Sequence, residues 1–202
     1  MSMSRQSGGR AEHPSASAWR RALVEARQLT DGLGYPVDSG ILDLVAVLRM
    51  LGFETTGSCE GHLNWGHAAP WVDIGEQPPR ELLKRIDFSD PDAIDKHPVL
   101  RRWRARNLRA QRRLLTLLDQ CYDRHNPPET HRFILESMGV YGAVRLVNQG
   151  YAIQLITPKP EQRKRLAEYQ REARRLVSFL RRRAGRGGDT TSKRSRASPT
   201  SL

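Results

Sequence analysis

The sequence predicts an α+β fold, a small and mostly antiparallel sheet of about five short strands packed with long helices. Three observations carry this. Apolar residues recur at three- and four-residue intervals along several long stretches. Short β-branched or aromatic runs lie between glycine and proline punctuation. Those runs cluster in two places instead of alternating regularly with helices, which argues against a doubly wound parallel sheet. The 202 residues suffice for one domain with a real core, placed at residues 18–184. A flexible N-terminal segment, 1–17, precedes it and a disordered basic tail, 185–202, follows.

A first helix is expected over Ala16 to Leu33, with Trp19, Ala22, Leu23, Ala26 and Leu29 as its apolar stripe. Gly32 and Gly34 end it, and Pro36 blocks continuation. Asp38 is placed to cap a second helix carrying Ile41, Leu44, Val45, Leu48 and Leu51, with Gly52 at its C-terminal turn. Phe53 to Ser58 reads as a strand, residues 59–70 as a loop, and Trp71 to Ile74 as a second strand. Pro78-Pro79 opens a short helix to Ile86, and 87–96 is a polar connection. A long helix follows from Pro98 to about Arg124, with Trp103, Ala110, Leu114, Leu117 and Cys121 on its apolar side, and Asn126-Pro127-Pro128 stops it. Three strands are expected next, His131 to Glu136, Ala143 to Asn148, and Tyr151 to Thr157. The last two would form a hairpin about Asn148-Gln149-Gly150. Pro160 opens a final helix to about Arg183, with Leu166, Tyr169, Ala173, Leu176 and Leu180 buried.

Charge is unevenly distributed. The net charge is +12, yet residues 30–100 hold twelve Asp/Glu against five Lys/Arg. The excess comes from seven arginines in 101–113 and fourteen Lys/Arg in 159–196. Clustered arginine with a pI near 10.6 fits a polyanionic partner such as nucleic acid or an anionic membrane surface. It equally fits solvated helix faces that keep the chain dispersed. On the long helix Arg102, Arg106, Arg109 and Arg113 fall on one side and are the candidate phosphate contacts. No apolar run approaches a membrane span and no signal-peptide core is evident. With only two cysteines, far apart, the expectation is a cytoplasmic protein with reduced thiols.

Chemistry concentrates in Thr55-Thr56-Gly57-Ser58-Cys59-Glu60-Gly61-His62, followed by His67 and by Pro70-Trp71-Val72-Asp73-Ile74. Three readings stand side by side. Cys59, His62, His67 and Asp73 are thiolate, imidazole and carboxylate donors of the kind zinc takes, and Gly61 lets the chain bend between the first two. This is half of the usual paired pattern, so an open site suits it better than a closed structural one. Alternatively Cys59 is a nucleophilic thiol, with His62 as its partner and Glu60 or Asp73 as acid/base or orienting carboxylates. In the third reading Cys59 is simply a small buried residue and His62 a hydrogen-bonded turn histidine. Trp65 and Trp71 would wall a pocket, or merely pack. Arg145 interrupts the apolar run Ala143 to Val147; it either faces solvent or receives an anionic ligand. Cys121 belongs to a helix stripe and reads as core. His13, His97 and His125 need no function, and His131 could face the site.

These residues resemble a group of small bacterial and phage proteins of unknown activity that share Thr-x-x-Ser-Cys-Glu-Gly-His followed by Pro-Trp-Val-Asp-Ile. Met138 to Leu146 and the helix from Tyr169 to Leu180 look similar as well, so the likeness spans roughly residues 18–183. It implies that Cys59, Glu60, His62 and Asp73 belong to one shared feature, and it brings no activity or cofactor. The turn also faintly resembles the Ser-Cys-Ser-Gly-Arg turn of tRNA wybutosine-synthesising methyltransferases. Glu60 and His62 replace two of its residues here, so that activity is not carried over.

Overall fold

A computed structural model describes residues 16–191 apart from Gly32, Phe88, Pro91 and Val140, with side chains described to residue 185. The expectations for residues 1–15 and 192–202 lie outside the described residues. The elements are α1 (Ala16–Arg27), α2 (Leu42–Met50), β1 (Thr55–Cys59), β2 (Trp71–Ile74), α3 (Arg80–Leu83), α4 (Ala93–Lys96), α5 (Pro98–Tyr122), β3 (Phe133–Ser137), β4 (Val144–Asn148) and α6 (Lys159–Thr191). Among these residues the strands form one antiparallel sheet of order β1-β2-β4-β3. The α+β class holds, with four strands where about five were expected.

Side-chain alternation decides which face of the sheet is buried. Val72, Ile74, Val144, Leu146 and Phe133 point to one side and join the core formed with α1, α2, α5 and α6. Along α2 six of nine residues are buried, so this helix runs through the middle of that core. Trp71, Asp73 and Arg145 alternate with those residues and belong to the opposite face. The expected stripe of α6 is buried throughout, from Leu166 to Leu180.

Four expectations are corrected. The segment from Tyr151 to Thr157 is not a strand; residues Gln149–Ile156 form a 3₁₀ stretch. β4 is already paired on both edges, by β2 and β3, so the segment that follows it cannot fold back as its hairpin partner. Gly150 answers to close packing and not to a hairpin turn: a Cβ there would collide with Tyr169 Oη and with Thr130. The hairpin in this half joins β3 to β4 instead. Secondly, α1 stops at Arg27, short of the expected Leu33; beyond it the Asp31 carboxylate accepts the Leu33 and Tyr35 N–H groups, a turn geometry in place of helix. Thirdly, Asp38 makes no side-chain cap to α2, which begins at Leu42. Lastly, the polar connection before α5 contains the short α4, anchored by buried Ile94.

Candidate functional site

β1 is an edge strand whose last residue, Cys59, pairs with Trp71 of β2. The chain then turns sharply. Gly61 has φ +87°, a left-handed conformation, and a Cβ on it would meet Leu166 Cδ1 at 2.7 Å and the Ala69 backbone at 2.8 Å. Only glycine fits there without displacement. The turn is pinned from several directions. Glu60 Oε2 accepts the Gly40 N–H at 2.6 Å, Gln170 donates to the Glu60 carbonyl, and the His62 N–H bonds to the His67 carbonyl.

This brings Asp38, Cys59 and His62 together, with their donor atoms all within 4.8 Å of one another. His62 Nε2 lies 3.4 Å from Asp38 Oδ2. That is long for a hydrogen bond but close to the donor–donor separation of about 3.3–3.4 Å expected around a tetrahedral ion bound at about 2.0–2.1 Å. Two backbone N–H groups hold the oxygen and sulfur donors in place: Glu60 N–H to Asp38 Oδ2 at 3.1 Å and Gly61 N–H to Cys59 Sγ at 3.4 Å. The His62 ring is stacked on Trp65, with centroids 3.7 Å apart. Asp38, Cys59, Trp65 and Trp71 line a cavity of about 570 Å³ that runs along the outer edge of β1.

Electrostatics separates the chemical readings. Burial, first of all, pushes the Cys59 thiol above its ordinary value; the Gly61 N–H opposes this and the carboxylates of Asp38 and Glu60 reinforce it. At neutral pH the thiol therefore keeps its proton, the reverse of what an activated nucleophile needs. A divalent cation reverses the balance, because it favours thiolate and carboxylate together.

Of the expected ligand set, the structure joins Cys59 and His62 and leaves the other two elsewhere. Asp73 makes a two-pronged bond to Arg145, Nε to Oδ1 at 2.7 Å and Nη2 to Oδ2 at 2.9 Å. Arg145 is thus occupied by a partner from within the fold, and its guanidinium also lies 3.9 Å from the Trp71 ring centre. The His67 ring packs edge-on against Tyr151. Glu60 spends its carboxylate on Gly40. His131 packs against Tyr169, away from the site. Asp38 is the residue that the sequence reading assigned to a helix cap. It lies 24 positions from His62, and no spacing rule links the two.

The four α5 arginines read as candidate phosphate contacts are all exposed, and two of them are engaged within the fold. Arg106 pairs with Glu76 at 2.9 Å and lies over Trp103. Arg113 donates to the Leu51 carbonyl and lies over Phe53. Arg102 and Arg109 remain at the surface. Both cysteines are free thiols, and Cys121 is buried in the core as expected. No helix among the described residues is long and apolar enough to cross a membrane. Comparison with known proteins adds no family: no family model, no curated protein and no solved structure matches the chain.

Proposed function

We propose that Asp38, Cys59 and His62 bind one divalent transition-metal ion, with zinc the best match to this carboxylate–thiolate–imidazole set. The observation that supports this reading is the convergence of three different donors within 4.8 Å, two of them already held by backbone N–H groups. Mixed nitrogen, sulfur and oxygen donors suit zinc, and three protein ligands leave one position open. When bound, zinc would supply a Lewis acid and a water of lowered pKa. The protein's own part is to fix the donors, through Gly61 and the Glu60–Gly40 bond, and to offer the adjoining cavity to a small molecule. The feature expected to be shared by proteins with this motif is, on this reading, the Cys59–His62 half of the site with Glu60 as its brace.

The test is metal content after chelator treatment and refilling with zinc. Wild type should hold about one equivalent, while Asp38→Asn, Cys59→Ser and His62→Ala should each fall to about a tenth or less. His67→Ala and Asp73→Asn should retain the metal. Cobalt substitution should give the near-ultraviolet absorption of a thiolate–cobalt bond, lost in Cys59→Ser. Failure of the folded wild type to take up zinc would end the proposal.

A second, non-catalytic reading has one observation in its favour. Arg124, His125, Arg171, Arg174, Arg175 and Arg182 line a groove of about 390 Å³ between α5 and α6. Glu168 and Glu172 neutralise only part of that charge. Planar guanidiniums on successive helical turns suit phosphate. Nucleic-acid binding there should weaken steeply with salt and be abolished by Arg124→Glu with Arg174→Glu. Retention of binding in that double variant would reject the reading.

A further inference from the structure

The cavity beside the candidate metal site has walls that specify a ligand class. Tyr35, Trp65 and Leu33 are 66%, 65% and 82% exposed, an unusual outlay of large apolar side chains on solvent. All three, with Trp71, line this one cavity. They come from three separate segments, the 29–37 turn, the 60–70 loop and β2, so the tertiary fold assembles the aromatic walls.

The charged groups among the lining residues are Asp31 and Asp38, both carboxylates. Two guanidiniums that touch its walls are committed to acids: Arg145 on Trp71 is held by Asp73, and Arg49, near the Thr55 hydroxyl, is held by Glu54. Asp31 uses Oδ1 on the Leu33 and Tyr35 N–H groups. Its carboxylate is thus fixed among the lining residues by the backbone of the Tyr35 segment. Aromatic faces attract cations through their quadrupole, and nearby carboxylates add to that attraction. A zinc ion would neutralise the Asp38–Cys59 pair and leave Asp31 as the remaining charge, so the preference holds with or without metal.

We propose that this cavity binds a planar organic cation, an aromatic ring carrying a protonated amine, and discriminates against anions of the same shape. The proposal names the ligand class of the cavity and does not depend on the metal reading.

The probes are three ligands with one ring and different charge: tryptamine, indole and indole-3-acetate. Binding is followed by the indole N–H resonances of Trp65 and Trp71, assigned with Trp65→Phe and Trp71→Phe, with Trp19 and Trp103 as internal controls. Each titration is run on chelator-treated and on zinc-loaded protein, so that loss of the metal site and loss of ligand binding are read separately. Tryptamine should bind about fivefold or more tightly than indole-3-acetate, with indole between them. Asp31→Asn keeps the turn's acceptor oxygen and should erase most of the advantage of the cation in zinc-loaded protein, and reduce it in chelator-treated protein, where Asp38 keeps its charge; added salt should shrink it in wild type. The proposal is overturned if the acetate binds as tightly as the amine, or if tryptamine leaves both resonances unmoved in folded protein.

Discussion

Cys59 and Asp38 show how a thiol and a carboxylate, which would repel each other were both ionised, are held face to face. Each gains a backbone N–H, from Gly61 and Glu60, because the turn after β1 has a single accessible shape. That shape depends on Gly61. Gly61→Ala meets both a disfavoured φ and the Leu166 and Ala69 contacts, so urea unfolding should show a loss of about 1–3 kcal/mol or more. Zinc affinity should fall with it. A second expectation follows from the raised thiol. Zinc must displace the Cys59 proton, so its apparent affinity should rise about tenfold per pH unit from neutrality until the thiol ionises by itself. A competition titration with a chromophoric chelator measures the slope, and Cys59→Ser should flatten it.

At the scale of elements, the sheet joins two halves of the chain through the β2–β4 pairing. On its outer face this pairing is bolted by Asp73 and Arg145, which stand opposite each other in register. Their side chains are only 15% and 21% exposed, and a half-buried carboxylate–guanidinium pair costs more to break than it contributes intact. Asp73→Asn should lower stability by about 1–3 kcal/mol while metal content is unchanged. Loss of zinc in that variant without loss of stability would place Asp73 in the site after all. The strand residues, the stripe of α6 and the span of α5 were legible in sequence, because local periodicity reports burial directly. The segment after β4 was not legible. Tyr151-Ala152-Ile153-Gln154 reads as a strand by composition. Its fate is set by a sheet with no free edge at β4, and by Gln154, whose amide is spent on the Ala68 and Gln162 carbonyls.

At the scale of the molecule, the two buried thiols make stability depend on alkaline pH. Burial pushes Cys121 up to about 11, with Glu172 adding and Arg182 opposing, and Cys59 is raised as well. In the unfolded chain such thiols ionise near their ordinary value of 9.0. Above that pH the unfolded form sheds protons that the folded form retains. The stabilisation is therefore complete below about pH 9 and declines as pH rises towards 11. Urea midpoints should fall across that window, and Cys121→Ala should show a shallower decline. Sequence by itself determined the α+β class, the core stripes, the uneven charge and the turn at which chemistry gathers, since each is written in neighbouring residues. Only the tertiary structure decided the rest. It recruited Asp38 to Cys59 and His62, committed Asp73 to Arg145, and gathered Tyr35, Trp65 and Trp71 around one cavity. The reason is physical: periodicity encodes which side of an element is buried. Which distant side chains then meet is fixed by how the β1 edge, the 29–37 turn and the 60–70 loop pack together.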